Sequence, residues 1–147
     1  MRGGDMKNEI DIQIRVPNQT RYLSLVGRIG ENIARELCRP SDIRDSFANN
    51  INVVLTEAMV NAIKHANAAD PDKEVLILIR ISEKELSIKV YDSGKGFDLD
   101  SIPNPAFESS CLEEKGRGIF IIRSLMDSVV YKKAKGGNVL EMRIKLN

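Results

Sequence analysis

Hydrophobic and polar residues alternate along several stretches of the chain. The alternation has a period of two in Ile10–Val16, in Leu86–Val90 and in Leu140–Leu146. Val75–Ile81 is almost continuously apolar, and Val129–Lys132 is a shorter apolar stretch before the last strand pattern. Because successive side chains of a strand point to opposite faces, these stretches predict β-strands, most of them with one buried face.

Three other stretches repeat their apolar residues at the spacing of a helix. They cover residues 19–38, about 42–66, and Ile119–Met126. The middle stretch has the most regular apolar stripe, formed by Phe47, Ile51, Val54, Leu55, Ala58, Met59, Ala62 and Ile63. Strands and helices in this order predict an α/β (α+β) two-layer sandwich, with a largely antiparallel mixed sheet and helices on one face.

Length and composition indicate a single globular domain over residues 1–147. Of the 147 residues, 42% are hydrophobic and 29% are charged, which is enough apolar material for a packed core. The net charge is +1, and only 5% of the residues are aromatic. Because the basic residues are interspersed and few aromatic rings could stack on bases, neither a nucleic acid nor a membrane is predicted as a partner.

The sequence also predicts a cytoplasmic location. No apolar stretch is long enough to span a membrane, and no hydrophobic run follows the polar N-terminus as in a signal peptide. Cys38 and Cys111 are far apart and form no Cys-x-x-Cys pair, so we expect free thiols in a reducing compartment.

A first polar island interrupts the middle helix. Glu57 and Asn61 are four residues apart and therefore lie side by side, with Lys64 and His65 further along. One interpretation is a solvated helix flank. The other is a pocket in which the Asn61 amide oxygen binds a hard cation such as Mg²⁺ and the Glu57 carboxylate acts as a base.

A second island, Asp92-x-Gly94-x-Gly96, follows the strand that begins at Leu86. On its own this pattern is more often a turn with an aspartate at its mouth. It also fits a binding loop, because glycines let the backbone approach a ligand. Asp92 could then accept a hydrogen bond from an amino group such as that of adenine.

A third island, Gly116-x-Gly118, precedes the last predicted helix and follows an irregular stretch at about 98–115. The glycines fit a flexible helix start. They also fit a phosphate site, because the free N–H groups and the dipole of a helix N-terminus favour an anion. An irregular stretch of this length in a small domain is typical of a functional lid or of disorder.

In this order and at these distances, the three islands resemble the N-box and the two glycine boxes of the GHKL ATPase superfamily. The resemblance is carried by LTEAMVNAIKHA, VYDSGKGFD and KGRGIFIIRSLMD. Within that superfamily the chain most resembles the anti-sigma-factor serine/threonine protein kinases, small stand-alone domains similar to it over nearly its whole length. Glu57 supports this group, since histidine kinases usually lack a glutamate at that position.

The resemblance implies a Bergerat-type ATP-binding fold and a role for each matching residue. Asn61 would bind Mg²⁺ at the phosphates of ATP, and Glu57 would be the catalytic base. Asp92 would recognise adenine, with Gly94 and Gly96 shaping the pocket. Further nucleotide contacts would come from Lys64, His65, Lys115, Gly116, Arg117 and Gly118.

Two positions depart from the pattern of that group. Relatives commonly carry Gly-Thr-Thr near the last strand, with a threonine that helps to bind adenine. Here Asn138 follows the two glycines and could hydrogen-bond a ring nitrogen or a water. Some relatives have an arginine just before the second glycine box. Here the residues are Glu114 and Lys115, so Lys115 is the one cation available at that point. Both departures bear on the rate of transfer more than on ATP binding.

By the same resemblance, the protein is expected to phosphorylate a serine of a STAS-type antagonist, to sequester a sigma factor otherwise, and to form a homodimer. The alternatives are a partner-switching kinase that does not act on a sigma factor, and a non-catalytic ATP-binding module. Retention of both Glu57 and Asn61 favours an enzyme, because a binding module has no use for the base.

Overall fold

Every stretch predicted to be a strand forms one. The structure, a computed structural model, describes residues 9–37, 41–94 and 114–146. Its strands are β1 (Ile10–Pro17), β2 (Glu74–Ile81), β3 (Glu85–Asp92), β4 (Ser128–Ala134) and β5 (Gly137–Lys145). The turn between β2 and β3 is stabilised by Ser82, whose hydroxyl oxygen accepts hydrogen bonds of 3.2 Å from the N–H groups of Lys84 and Glu85.

The strands form one sheet in the order β1-β2-β3-β5-β4. All neighbouring strands in the described ranges are antiparallel, so the predicted mixed character is not found there. The register aligns the apolar positions: Ile79 is opposite both Ile12 and Ile88, and Ile88 is opposite Met142. Because these positions share one face, a continuous apolar layer crosses the sheet.

Helices cover that apolar face, as predicted for a two-layer sandwich. They are α1 (Leu23–Leu37), α2 (Ser41–Val60) and α3 (Glu114–Leu125), with a 3₁₀ turn at Thr20–Tyr22 and a π-helix at Asn61–Ala66. The core lies where the predicted stripe of α2 meets the sheet. Leu55 and Met59 of α2 are fully buried in one cluster with Ile77 and Ile88 of the sheet.

The starts of the first and last helices differ from the prediction. Gln19 is extended, with φ −135° and ψ 135°, so the first helical segment starts after it at the 3₁₀ turn. The helix α3 starts at Glu114, so Gly116 and Gly118 lie inside its first turns and not ahead of it.

The remainder of the predicted lid, residues 98–113, lies outside the described ranges, as do Cys38 and Cys111. Among the helices of the described residues, none is both long and apolar enough to cross a lipid bilayer.

Candidate nucleotide-binding site

Three polar side chains are buried at one end of the helix-covered face. Asp92 and Asn138 end up opposite each other because they are register partners of β3 and β5. Their relative exposures are 7% and 4%, and that of Asn61 is 3%. Buried polar groups are costly unless they have partners, so this cluster is a candidate site.

The Asp92 carboxylate is the hub of the cluster. Its Oδ1 accepts hydrogen bonds from the Gly94 N–H at 2.9 Å and from the Asn138 side-chain amide at 2.9 Å. Its Oδ2 accepts a hydrogen bond of 2.8 Å from the Tyr131 hydroxyl. The three donors come from three separate parts of the chain, so the carboxylate is held in one orientation.

Tyr131 was not singled out by the sequence reasoning. It lies on β4 opposite Leu140, which places its side chain on the helix-covered face. Burial, and after it the hydrogen bond to Asp92, raises the pKa of the Tyr131 hydroxyl above its ordinary value. Its position in the alternating pattern of β4 could have revealed it. That pattern places Tyr131 on the buried face, where a tyrosine hydroxyl needs a hydrogen-bond partner.

Asn138 is bound to the protein itself. Its amide nitrogen donates to Asp92 and also to the Gly94 carbonyl oxygen at 3.0 Å. The predicted hydrogen bond of Asn138 to a ring nitrogen of adenine or to a water stays a prediction. In the structure its N–H groups hold the end of β3 and the turn after it.

Gly94 is required by the protein's own backbone. A Cβ at this position would overlap the carbonyl group of Ala66, at the end of the π-helix. The glycine therefore allows the turn after β3 to lie directly on that helix end. Gly96, the next glycine of the motif, falls outside the described ranges.

The π-helix carries the first polar island. It runs from Asn61 to Ala66 and so includes Asn61, Lys64 and His65, where the sequence predicted ordinary α-helix. Lys64 is exposed and His65 is half-buried. π-Helical turns are rare and are frequent at functional sites, but their register has no sequence signature that periodicity can detect.

Asn61 has an unused acceptor. Its side-chain amide donates to the backbone carbonyl of Glu57 at 3.1 Å. Its Oδ1 is buried and has no hydrogen-bond partner within the described part of the molecule. A buried acceptor without a partner costs free energy, which makes it a candidate ligand atom for a cation or a donor group.

The start of α3 completes the site. Gly116 and Gly118 are buried, while Arg117 is exposed; the side chain of Lys115 falls outside what the structure describes. A Cβ on Gly118 would lie 2.7 Å from Oε1 of Glu57 and 3.4 Å from Nδ2 of Asn61. The absence of a side chain at Gly118 thus lets the second glycine motif lie directly on the first polar island.

The fold brings all three islands together. Glu57 and Asn61 lie next to Gly118 in α3, while Asp92, Asn61 and Tyr131 line one cavity of about 10 Å³. Within the described residues, no cluster of three His, Cys, Asp or Glu side chains could hold a metal by itself. A cation at Asn61 would therefore need further ligands from a bound molecule such as a nucleotide.

This geometry agrees with the comparison to known families. Residues 16–144 match the model of the histidine kinase-like ATPase domain, and the chain belongs to that family. It is 30% identical to the serine-protein kinase RsbW of Bacillus subtilis (strain 168) over 142 residues, which cover 91% of this chain and 86% of that protein. It is 36% identical to the anti-sigma F factor of Clostridium perfringens (strain SM101 / Type A) over 100 residues, 66% of this chain and 71% of that one.

Solved structures share the fold at low sequence identity. A chain of the SiaB-SiaC complex from Pseudomonas aeruginosa matches with a TM-score of 0.58 and 16% identity, covering 99% of this chain and 95% of that one. The histidine kinase domain of a blue-light-activated kinase from Erythrobacter litoralis EL346 matches with a TM-score of 0.51 and 19% identity, covering 88% of this chain and 61% of that one. Together with the family match over residues 16–144, these structures confirm the predicted GHKL-type architecture.

Proposed function

We propose that this protein is an ATP-dependent serine/threonine protein kinase that acts as an anti-sigma factor. It would phosphorylate a serine of a STAS-type antagonist and otherwise sequester a sigma factor in the cytoplasm. Family membership and the names of the relatives support the class of activity. The observation that carries the proposal is the close approach of Gly118 to Glu57 and Asn61. It brings a candidate base, and an acceptor without a partner in the described structure, to the first turns of α3.

The residues present fit Mg²⁺-ATP. The amide oxygen of Asn61 is buried without a partner, and a hard cation prefers such an oxygen ligand. When bound, Mg²⁺ would neutralise charge on the phosphate oxygens. Asp92 would bind the adenine amino group, with Asn138 orienting the carboxylate and Gly94 and Gly96 shaping the base pocket.

Glu57 is the proposed catalytic base. Its carboxylate would accept the proton of the serine hydroxyl as that oxygen forms its bond to the γ-phosphorus, while the bond to the β-phosphate oxygen breaks and ADP leaves. The backbone N–H of Gly116, in the first turn of α3, suits the phosphates, and Gly118, without a side chain, would let them approach the helix closely. Phosphoryl transfer depends mainly on positioning and electrostatics, so these few groups suffice.

The remaining predicted residues would bind the phosphates of ATP. Lys64, Lys115 and Arg117 would neutralise the phosphates, and His65 would contact them from the π-helix. We propose that residues 1–147 act as one domain, with residues 98–115 containing the ATP lid, and that two copies form a homodimer. Partner switching is then a competition between two binding equilibria, biased by nucleotide and by phosphorylation of the antagonist.

The test is transfer of labelled γ-phosphate from ATP into proteins of an extract from the source organism. We expect a single small acceptor, labelled on serine, with the wild type. With Glu57→Ala the rate should fall by about 10²- to 10⁴-fold, the usual contribution of a general base, while ATP binding is retained.

Glu36→Ala is the matched control, because Glu36 is an exposed glutamate of α1. It should label the acceptor at the wild-type rate. Near wild-type transfer by Glu57→Ala would remove the role given to Glu57. ATP binding without any labelled acceptor would instead indicate the non-catalytic module. Labelling of an acceptor by a kinase that binds no sigma factor would indicate a different partner-switching system.

A further inference from the structure

The hydrogen bonds to Asp92 limit what its carboxylate can still accept. A carboxylate has about four lone-pair positions, two on each oxygen. The donors from Gly94 and Asn138 occupy both positions of Oδ1. The Tyr131 hydroxyl occupies one position of Oδ2. With the donors of the described residues counted, a bound base therefore finds a single acceptor position, on Oδ2.

Tyr131 is the donor that determines how many acceptor positions of Asp92 stay open. The bonds from Gly94 and Asn138 belong to the turn after β3 and to the β3–β5 pairing. The Tyr131 hydroxyl instead reaches Asp92 from β4, the edge strand beyond β5. Tyr131 and Asp92 line the same small cavity as Asn61, and the hydroxyl is bonded to Asp92, so it belongs to the candidate site.

The hydroxyl also stays a donor at physiological pH. Its pKa lies above the ordinary value because of burial and the neighbouring carboxylate, so it keeps its proton. Since a carboxylate only accepts, the hydroxyl donates to Asp92 and cannot be replaced there by an acceptor group of a ligand.

Purine bases differ in how many donors they present on one edge. Adenine offers its amino group next to a ring nitrogen that accepts, so one N–H faces a carboxylate. Guanine offers a ring N–H and an amino group side by side, so two N–H groups face it. With one acceptor position open, the single N–H of adenine has a partner. Guanine would bury one N–H group without a partner, and the free-energy cost of that unpaired donor would favour adenine.

Resting on the proposed nucleotide-binding function, we propose that Tyr131 is a specificity-determining residue of the base pocket. Its hydroxyl blocks one acceptor position of Asp92 Oδ2 and thereby selects adenine over guanine nucleotides. The backbone and side-chain donors on Oδ1 fix the carboxylate, and Tyr131 sets how many base N–H groups it can accept.

The experiment measures dissociation constants of ATP and GTP, each with Mg²⁺, for the full chain and for Tyr131→Phe. The phenylalanine keeps the ring and removes the hydroxyl alone. Wild type should bind ATP more tightly than GTP by at least about tenfold, and Tyr131→Phe should reduce that ratio by about tenfold, the effect of one hydrogen bond.

Tyr91→Phe is the matched control. Tyr91 lies on β3 next to Asp92, on the opposite face of the sheet from the site. It loses the same hydroxyl, and its ATP-to-GTP ratio should equal that of wild type. Urea unfolding of each variant confirms that the ratios refer to folded protein.

Three results would overturn the inference. An unchanged ratio in Tyr131→Phe would show that the hydroxyl does not select the base. A parallel rise in both affinities would show that it only competes with bases for space. Equal binding of ATP and GTP by wild type would refute the selection even if the variant failed to fold. Binding of neither nucleotide by wild type would instead reject the proposed function itself.

Discussion

Asn61 and Asn67 lie at the start and just past the end of the same π-helical segment, and both are buried. The Asn67 amide donates to Asn18 Oδ1 at 2.9 Å and to the Glu74 carbonyl at 3.4 Å. Its own Oδ1 accepts a 2.9 Å hydrogen bond from the Ser93 N–H. Asn61, by contrast, leaves its Oδ1 without a partner in the described structure.

The difference separates two uses of one residue type. Asn67 connects the end of β1, the start of β2 and the turn after β3, so its hydrogen bonds hold the polypeptide together at the edge of the site. In the described part of the chain the Asn61 side chain makes a single hydrogen bond, to its own helix, and keeps a buried acceptor for a ligand. An asparagine whose buried side-chain atoms all have partners in the protein has a structural role. A buried acceptor without a partner in the protein indicates a ligand.

The largest effect is expected for Gly94→Ala, in the turn after β3, which lies against the end of the π-helix next to Asn67. The new methyl group would overlap the Ala66 carbonyl, which is backbone and cannot rotate away. We expect a loss of about 3 kcal/mol in the free energy of unfolding, at the upper end for overpacking, measured by urea denaturation. Gly136→Ala is the control: its φ is 79° but nothing lies near its Cβ, so only the left-handed backbone cost of about 1–2 kcal/mol applies.

Asn67→Ala should cost about 2–3 kcal/mol of stability. The substitution leaves the Ser93 N–H and the Asn18 oxygen without their partner, and an unsatisfied buried group costs about 1–3 kcal/mol. The affinity of the folded variant for ATP should change much less than its unfolding free energy. An unchanged urea midpoint would contradict the structural role of Asn67.

Asn61→Ala should show the reverse behaviour. Its unfolding free energy should stay within about 1 kcal/mol of wild type, because the acceptor removed has no partner to lose. The affinity for ATP should fall at least about tenfold, or about 1.4 kcal/mol, in the presence of Mg²⁺ and by less when the cation is chelated. Equal ATP affinity of both proteins with Mg²⁺ would exclude Asn61 as a metal ligand.

The smallest effect concerns the two residues after Asn67. Ala68 and Ala69 have φ of 50° and 55°, in the left-handed region that disfavours side chains. Ala69→Gly should stabilise the protein by about 0.5–1 kcal/mol, since glycine adopts this conformation without strain. A decrease in stability would mean that the packing of the Ala69 methyl group stabilises the protein by more than the left-handed backbone strain destabilises it.

Much of the fold follows from local pattern. The alternation in Ile10–Val16 and Leu140–Leu146 and the stripe of α2 predicted the sheet and its covering helices. The site was predicted less completely. Glu57, Asn61 and Asp92 were named from their spacing, whereas Tyr131 and Asn67 were not, because their partners are distant in sequence and no local periodicity marks them.

The sequence by itself determined which segments become strands and helices, and which polar residues interrupt them, because side-chain direction follows from backbone period alone. Only the tertiary structure decided which of those residues meet. The β3–β5 register brings Asn138 to Asp92, and the packing of α3 on α2 brings Gly118 to Glu57. The tertiary structure also decided the π-helical turn and left the Asn61 oxygen without a partner in the described structure. Whether a buried atom has a partner depends on what the rest of the chain places around it.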